Sequence, residues 1–129
     1  MSSSTTTSLL SDTLPLTVPK LDAEGDNWAI FYVRFMDAIE AKGFWGHFDG
    51  SSPAPVPVSS TAPTDAEKTA KTQWDKDERS AKMLLTQRLP DSTVMEIHFK
   101  TTVKDRWEAV VREYTVKGAY TQTEMSRLR

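Results

Sequence analysis

The chain has 129 residues, enough for one domain and too few for two. Its 16 lysines and arginines stand against 18 aspartates and glutamates, and the net charge of −2 argues against a strongly basic nucleic-acid-binding protein. The chain contains no cysteine, which excludes disulfides, thiol catalysis and thiolate zinc sites from these residues.

No segment of the sequence is predicted to enter a membrane. The longest apolar run, Trp28 to Val33, has six residues, far fewer than the ~18 needed to span a bilayer. The first residues, MSSSTTTSLL, lack the basic region and the long apolar stretch of a secretory signal. We therefore expect a soluble cytoplasmic protein with no membrane partner, and a nuclear stage is left open.

Residues 1–19 are dominated by Ser, Thr and Leu. Such a segment buries too little apolar area to offset its ordering entropy, so we expect a disordered tail here. The helical domain is expected to occupy residues 20–129.

The first predicted helix runs from Asn27 to Lys42. Asp26 or Asn27 is expected to cap its start, and Gly43 is expected to end it in a left-handed conformation. Its apolar stripe, at i, i+3, i+4 and i+7 spacing, consists of Trp28, Phe31, Tyr32, Phe35, Met36 and Ile39. An aromatic turn that contains Phe44, Trp45 and Phe48 is expected to fold back onto this helix.

Residues 50–63 hold four of the seven prolines and are predicted to form an extended, mobile Pro/Ser-rich loop. The second helix is predicted to follow an N-cap at Thr64 and to end before Pro90. Its expected apolar side consists of Ala66, Ala70, Trp74, Ala81, Leu84, Leu85 and Leu89.

A short third helix is predicted over residues 92–99, with Val94, Met95 and Phe99 as its apolar contacts. A fourth helix should open at Thr102, where Asp105 resembles a capping-box partner, and close at Gly118. Its stripe consists of Val103, Trp107, Val110, Val111 and Tyr114.

A fifth helix is predicted to start near Thr121 or Thr123, with Met125 and Leu128 on one side, and to stop at Arg129 after hardly two turns. Because helices this short are marginal alone, we expect the chain to stop inside a larger fold. No segment alternates with period two between hairpin turns, so the predicted class is all-α: a small bundle of four to five helices with a disordered N-terminal tail and a Pro/Ser-rich loop.

The sequence predicts no catalytic, metal or cofactor site. His47 and His98 are the two histidines, and neither lies in a metal-ligand motif; His98 is expected to be a packing or surface residue. Gly43, Gly46 and Gly50 follow a predicted helix, not a strand, so a phosphate-binding loop is not indicated. The four tryptophans are expected to form one core, and the protein is expected to be no enzyme.

Four cations of the second helix, Lys68, Lys71, Arg79 and Lys82, fall within a narrow arc. They suggest either a nucleic-acid stripe or a solvated face, and the charge spacing favours the solvated face. Its acid-first i, i+4 pairs are Glu67–Lys71, Asp75–Arg79 and Glu78–Lys82.

Ile30 and Val33 fall outside the apolar stripe of the first helix, on the side that carries Arg34 and Asp37. They form either a contact surface for a neighbouring subunit or a patch that Leu21 or the tail covers within the same chain. The helical spacing leaves these two alternatives open.

A set of landmark residues runs in a fixed order through the predicted helices. An apolar lead at Leu21 precedes the pair Asn27-Trp28, a Gly-Phe-Trp turn closes the first helix, and a helix of the pattern Thr-x-x-acid-x-Trp ends in Tyr. Over residues 20–129 this order resembles the amino-terminal Gag region of copia-type LTR retrotransposons. The core and motif positions that carry the resemblance are Trp28, Phe31, Phe35, Ile39, Trp45, Trp74, Ala81, Leu85, Leu89, Trp107 and Tyr114.

The sequence departs from the family at three of its positions. Phe31 and Tyr32 stand where the family usually has Trp and Lys, and Glu78 replaces a more typical Asp. These changes keep apolar bulk or charge, so the fold expectation is unchanged.

The resemblance implies a structural, capsid-type domain that self-assembles into virus-like particles and packages element RNA through regions beyond Arg129. It implies no cofactor and no small-molecule substrate. The alternative function is a host-derived monomeric module that binds a protein partner on its helices. RNA binding by this domain itself is the weakest alternative, given the paired charges and the net charge of −2.

Overall fold

The computed structural model describes the backbone of residues 13–127 and the side chains of residues 13–119. In this range the chain forms five helices, and no strand occurs, so the predicted all-α class is confirmed. The helices are α1 (Trp28–Lys42), α2 (Trp45–Asp49), α3 (Asp65–Thr86), α4 (Asp91–Ile97) and α5 (Val103–Arg127). The tail prediction for residues 1–12 and the predicted side-chain positions of Met125 and Leu128 lie outside the described residues.

Helix α5 is the central element of the bundle, and each of the other four helices packs against it. Its residues Val103, Trp107, Val110 and Tyr114 follow i, i+4, i+7, i+11 spacing, and all four are buried. The predicted stripe of this helix is therefore confirmed at these positions, with Val111 half-buried beside it.

Helix α1 has the predicted bounds and the predicted end. Gly43 has φ +82°, and its backbone N–H donates to the carbonyl of Glu40. The predicted start is wrong in one respect, because the Asn27 side chain makes no cap hydrogen bond to the helix. It turns back instead, accepting from the Asp22 N–H and donating to the Lys20 carbonyl.

The segment before α1 corrects the prediction that residues 1–19 form a tail without a core contact. Leu14 and Val18 are buried, as is Leu21. Hydrogen bonds to the end of α3 fix this segment: Leu14 N–H donates to Gln87 Oε1, and Arg88 Nε donates to the Val18 carbonyl. The Ser/Thr-rich composition suggests that the entropy cost of ordering this segment is not compensated. Burial of these aliphatic side chains offsets that cost.

Helix α3 begins with the predicted N-cap. The Thr64 hydroxyl accepts from the Glu67 N–H, and the Glu67 carboxylate accepts from the Thr64 N–H. The predicted apolar side is confirmed only in the second half of the helix, at Ala81, Leu84 and Leu85; the helix ends at Thr86 rather than just before Pro90, and Leu89 is buried beyond its end. Ala66 and Ala70 are exposed, because the first turns of α3 extend beyond the core and are held by the capping box rather than by packing.

The loop over residues 50–63 has no helix or strand, as predicted, but it is attached to α3 at two points. Trp74 Nε1 donates to the Ser52 carbonyl at 2.8 Å, and the Val58 N–H donates to Glu67 Oε2 at 3.0 Å. These bonds hold the extended segment beside the first turns of α3.

The buried face of α4 differs from the prediction. Met95 and Phe99 are exposed, and Thr93 and Ile97 are the buried residues of this helix. The hydroxyls of Thr93 and Tyr114 lie 2.7 Å apart in the interior, so the face that carries Thr93 turns towards α5. This buried polar contact sets the rotation of the helix, and the spacing of apolar residues does not reveal it.

Gly118 lies inside α5, so the predicted helix end there is wrong, and the predicted fourth and fifth helices are one. A Cβ at Gly118 would lie 3.5 Å from Trp28 Cδ1 and 3.9 Å from the Gly25 carbonyl oxygen. Both distances are ordinary van der Waals contacts, so Gly118 faces the start of α1 and a Cβ would be accommodated there.

Candidate assembly and binding surfaces

The motif residues lie together in one core, except that Trp45 packs against it half-buried and Trp74 lies apart from it. Nine of the eleven positions are buried. Trp45 and Trp74 are half-buried. Trp28, Trp45 and Trp107 belong to one aromatic cluster, whereas Trp74 stacks on His47 at 4.9 Å. The expectation of a single tryptophan core is therefore confirmed for three of the four.

Trp107 is the centre of this aromatic cluster. Rings from α1 and α2 surround it at centroid distances of 5.1–6.0 Å, contributed by Phe35, Tyr32, Trp45, Phe48 and Trp28. Aromatic pairs at such distances each add about 0.5–1.5 kcal/mol beyond their area burial. Trp107 thus joins α1, α2 and α5 through a single side chain.

The outer side of the same cluster forms a groove of about 420 Å³ that is open to solvent. Its walls are mainly aromatic and aliphatic, and its rim carries Asp49, Glu108 and Arg112; the apolar lining residues are Tyr32, Trp45, Phe48, Trp107 and Val111. A groove of this volume and lining suits an apolar side chain of a partner.

Glu78 is one of three polar residues that are buried in the described part of the chain, together with His47 and Thr93, and the sequence analysis did not expect its burial. Its Oε1 lies 2.8 Å from His47 Nδ1, and its Oε2 accepts from the Val103 N–H at 2.8 Å. Val103 is the first residue of α5, so the carboxylate lies at the positive end of the helix dipole. The predicted surface pair of Glu78 with Lys82 is therefore wrong.

A signal for this position was present in the sequence. Trp74, Glu78, Ala81 and Leu85 have helical spacing, so Glu78 occupies the apolar side of its own helix. His47 lies between the aromatic residues Trp45 and Phe48 in the short helix α2. With Glu78 ionised, the carboxylate accepts from both partners, and His47 Nδ1 carries the donated hydrogen. The arrangement connects α2, α3 and α5.

The Glu78 cluster is enclosed rather than open to a substrate. The side chains of His47 and Glu78 are 6% and 8% exposed, and the aromatic ring of Trp74 covers the imidazole. No group of three or more His, Cys, Asp or Glu side chains that could hold a metal ion occurs in the described part of the chain. The geometry of this cluster is suited to holding helices together.

The basic arc of α3 is solvated, although its ion pairs differ from the predicted ones. Lys71 pairs with Asp75 at 2.7 Å, and both side chains are about half exposed. Glu67 is engaged in the capping box, where the backbone N–H groups of Thr64 and Val58 lower the pKa of its carboxyl. The predicted pairs Glu67–Lys71 and Asp75–Arg79 are thus wrong, and the acid–base alternation that suggested a solvated face is retained.

The outward side of α1 carries the two aliphatic residues that the sequence placed outside the core. Ile30 is 45% exposed and Val33 is 48% exposed. Leu21, one of the expected covers, is itself buried in the core. The tail is the other expected cover, and its residues 1–12 lie outside the described residues. Ile30 and Val33 therefore form a small apolar surface on the described part of the molecule.

A second apolar surface lies at the turn between α4 and α5. Met95 is 68% exposed and Phe99 is 69% exposed. Lys100 Nζ lies 5.2 Å from the centroid of the Phe99 ring, and Arg106 donates to the carbonyls of His98 and Lys100. His98 is exposed, as one of its two expected placements required.

Within residues 13–127 no helix combines the length and the apolar character needed to cross a membrane. Comparisons of the chain with protein-family models, with curated proteins and with solved structures found no match.

Proposed function

We propose that this chain is a Gag-type structural domain that associates with copies of itself to build virus-like particles around element RNA. The core and motif positions that resemble the copia-type Gag region supply nine of the nineteen buried apolar residues in the described part of the chain, which supports the proposal. The proposal involves no catalytic residue, metal or cofactor.

The exposure of Ile30 and Val33 is the observation that carries this proposal. Both lie on the side of α1 that faces away from Phe31 and Phe35, which are fully buried. Full burial of such a side chain is worth about 1.5–3 kcal/mol. Because each of the two side chains is about half exposed, covering them yields a weak contact, on the order of 1 kcal/mol per residue. A weak contact suits an assembly, because many copies share the stabilisation.

The test is the double substitution Ile30→Glu and Val33→Glu, followed by sedimentation of the full chain. We expect helicity and Tm to hold while the oligomers are lost. The matched control is Val56→Glu with Val58→Glu, since these loop valines are 86% and 98% exposed. Unfolding of the double variant would place the pair in the core, and unchanged assembly would place the interface elsewhere.

The aromatic groove favours a second function, that of a host-derived monomeric module that binds a protein partner. Tyr32, Trp45 and Val111 present apolar surface there without a covering side chain. This function requires the chain to remain monomeric at all concentrations. RNA binding by the domain itself would instead be shown by a nucleic-acid affinity that falls steeply with salt.

A further inference from the structure

Two exposed apolar surfaces of this molecule carry opposite charge. The α1 surface consists of Ile30, Val33, Asp37 and Glu40. The turn surface consists of Met95, Phe99, Lys100 and Arg106. The first is apolar and acidic, and the second is apolar and basic.

The residues of the α1 surface share one side of a regular helix. At 100° per residue, they fall within an arc of about 80°. Asp37 and Glu40 are exposed, and neither takes part in an ion pair within the described chain. Arg34, at the edge of this arc, donates to the Thr17 carbonyl, which is a neutral acceptor, so the surface has two carboxylates against one cation at its edge. The two carboxylates are thus available to a cation from outside.

The turn surface is exposed, and side-chain hydrogen bonds hold the turn that carries it. Phe99 lies outside the core, whereas the other four phenylalanines of the chain are buried. Arg106 bonds two carbonyls of the turn, and these neutral acceptors leave its positive charge uncompensated. Of the two acids of α4, Asp91 lies in the first turn, and Glu96 shares a hydrogen bond with Glu113 on α5, which raises the pKa of Glu96.

We propose that the α1 surface of one copy binds the turn surface of the next copy, in a head-to-tail contact. Pairing of either surface with itself would bring Asp37 onto Asp37, or Lys100 onto Lys100, and like charges at a contact are unfavourable. The division of charge along the chain agrees, since residues 1–65 carry 3 basic and 8 acidic groups (−5) and residues 66–129 carry 13 and 10 (+3).

This contact rests on the proposed self-association and specifies its geometry. Both surfaces are supported by α5, because Phe35 of α1 stacks on Trp107, and Thr93 of α4 bonds to Tyr114. A head-to-tail contact leaves one unused surface of each kind on every growing chain of subunits. It therefore produces closed rings or open polymers rather than a symmetric dimer.

The test uses two variants of the full chain, each with one surface blocked. The α1-blocked variant carries Ile30→Lys and Val33→Lys, which place cations opposite Lys100 and Arg106. The turn-blocked variant carries Met95→Glu and Phe99→Glu, which place carboxylates opposite Asp37 and Glu40. We expect each variant alone to associate at least about tenfold more weakly than the unmodified chain. An equimolar mixture should form a one-to-one dimer that does not grow, because each variant contributes one intact surface.

The outcomes separate this contact from the proposed function. If the turn-blocked variant assembles like the unmodified chain, or if the mixture stays monomeric while the unmodified chain assembles, the head-to-tail contact is wrong and self-association stands. If the unmodified chain is monomeric at every concentration, both proposals fail.

A charge reversal provides an independent variant that leaves the apolar residues in place. Asp37→Lys alone and Lys100→Glu alone should each weaken association, and both changes in one chain should restore it. Failure of the combined variant to recover association would contradict the pairing of these two surfaces.

Discussion

The Glu78 carboxylate and the His47 imidazole lie 2.8 Å apart in the interior of the bundle. The second carboxylate oxygen accepts from the Val103 N–H, so a single side chain from α3 binds both α2 and the start of α5. Apolar contacts alone do not fix the rotation of one helix against another, whereas a buried hydrogen-bonded contact has a defined geometry. We interpret Glu78 as the residue that sets how these three helices meet.

Removal of this carboxylate should be strongly destabilising. Glu78→Ala leaves the His47 Nδ1–H and the Val103 N–H without their acceptor, and each buried unsatisfied donor costs about 1–3 kcal/mol. We expect a loss of about 2–5 kcal/mol in the free energy of unfolding, measured by urea denaturation. The matched control is Glu108→Ala, whose exposed pair with Lys104 is worth less than about 1 kcal/mol. Equal effects of the two substitutions would contradict the assignment.

Trp107→Ala should remove the centre of the aromatic cluster. The side chain is 5% exposed, and large-to-small changes at such positions cost about 3–5 kcal/mol. Met83→Ala, at a position 55% exposed on α3, serves as the control and should cost less than about 1 kcal/mol. A loss below about 1 kcal/mol for Trp107→Ala would show that the cluster does not depend on this ring.

Shortening of the Pro/Ser-rich loop should be tolerated. Replacement of residues 54–62 by a short flexible linker keeps Ser52, whose carbonyl accepts from Trp74 Nε1. Because loop-closure entropy varies slowly with loop length, we expect a change below about 1 kcal/mol in thermal or urea unfolding. A loss of several kcal/mol would show that the loop packs as a structural element.

The start of α3 should respond to acid through Glu67. The N–H groups of Thr64 and Val58 lower the pKa of its carboxyl, so its contribution to stability is present above the unfolded value of 4.5 and is lost as the pH falls through the lower folded value. An NMR titration should give a midpoint below 4.5 for this carboxyl, with the Thr64 amide shifting in parallel. Glu67→Gln should abolish the parallel amide shift, and a midpoint at or above 4.5 would contradict the capping geometry.

Local patterns predicted the helices, and contacts between distant segments accounted for most of the errors. The bounds of α1, the left-handed Gly43 and the capping box of Thr64 with Glu67 each depend on neighbouring residues, and the sequence predicted them correctly. Leu14 was assigned to a tail because composition does not reveal Gln87, its partner 73 residues away. Gly118 is typical of a helix end by local pattern, and its contact with Trp28, 90 residues away, is equally invisible to that pattern.

The two apolar surfaces show the same difference between what local sequence patterns predict and what long-range contacts decide. The position of Ile30 and Val33 outside the apolar stripe follows from the 100° spacing of a helix, whereas the sequence left open whether the pair is exposed or covered within the chain. The exposure of Met95 and Phe99 was not predicted, because the rotation of α4 is set by the hydroxyl contact between Thr93 and Tyr114. The turn surface therefore became recognisable only when α4 was placed on α5.

The most direct test of the account is sedimentation equilibrium of the unmodified 129-residue chain from micromolar to millimolar concentration. The account predicts that the weight-average mass rises above the monomer mass as concentration increases, because a weak contact is populated by mass action. A mass that stays at the monomer value over the whole range would contradict self-association and would favour the monomeric binding module.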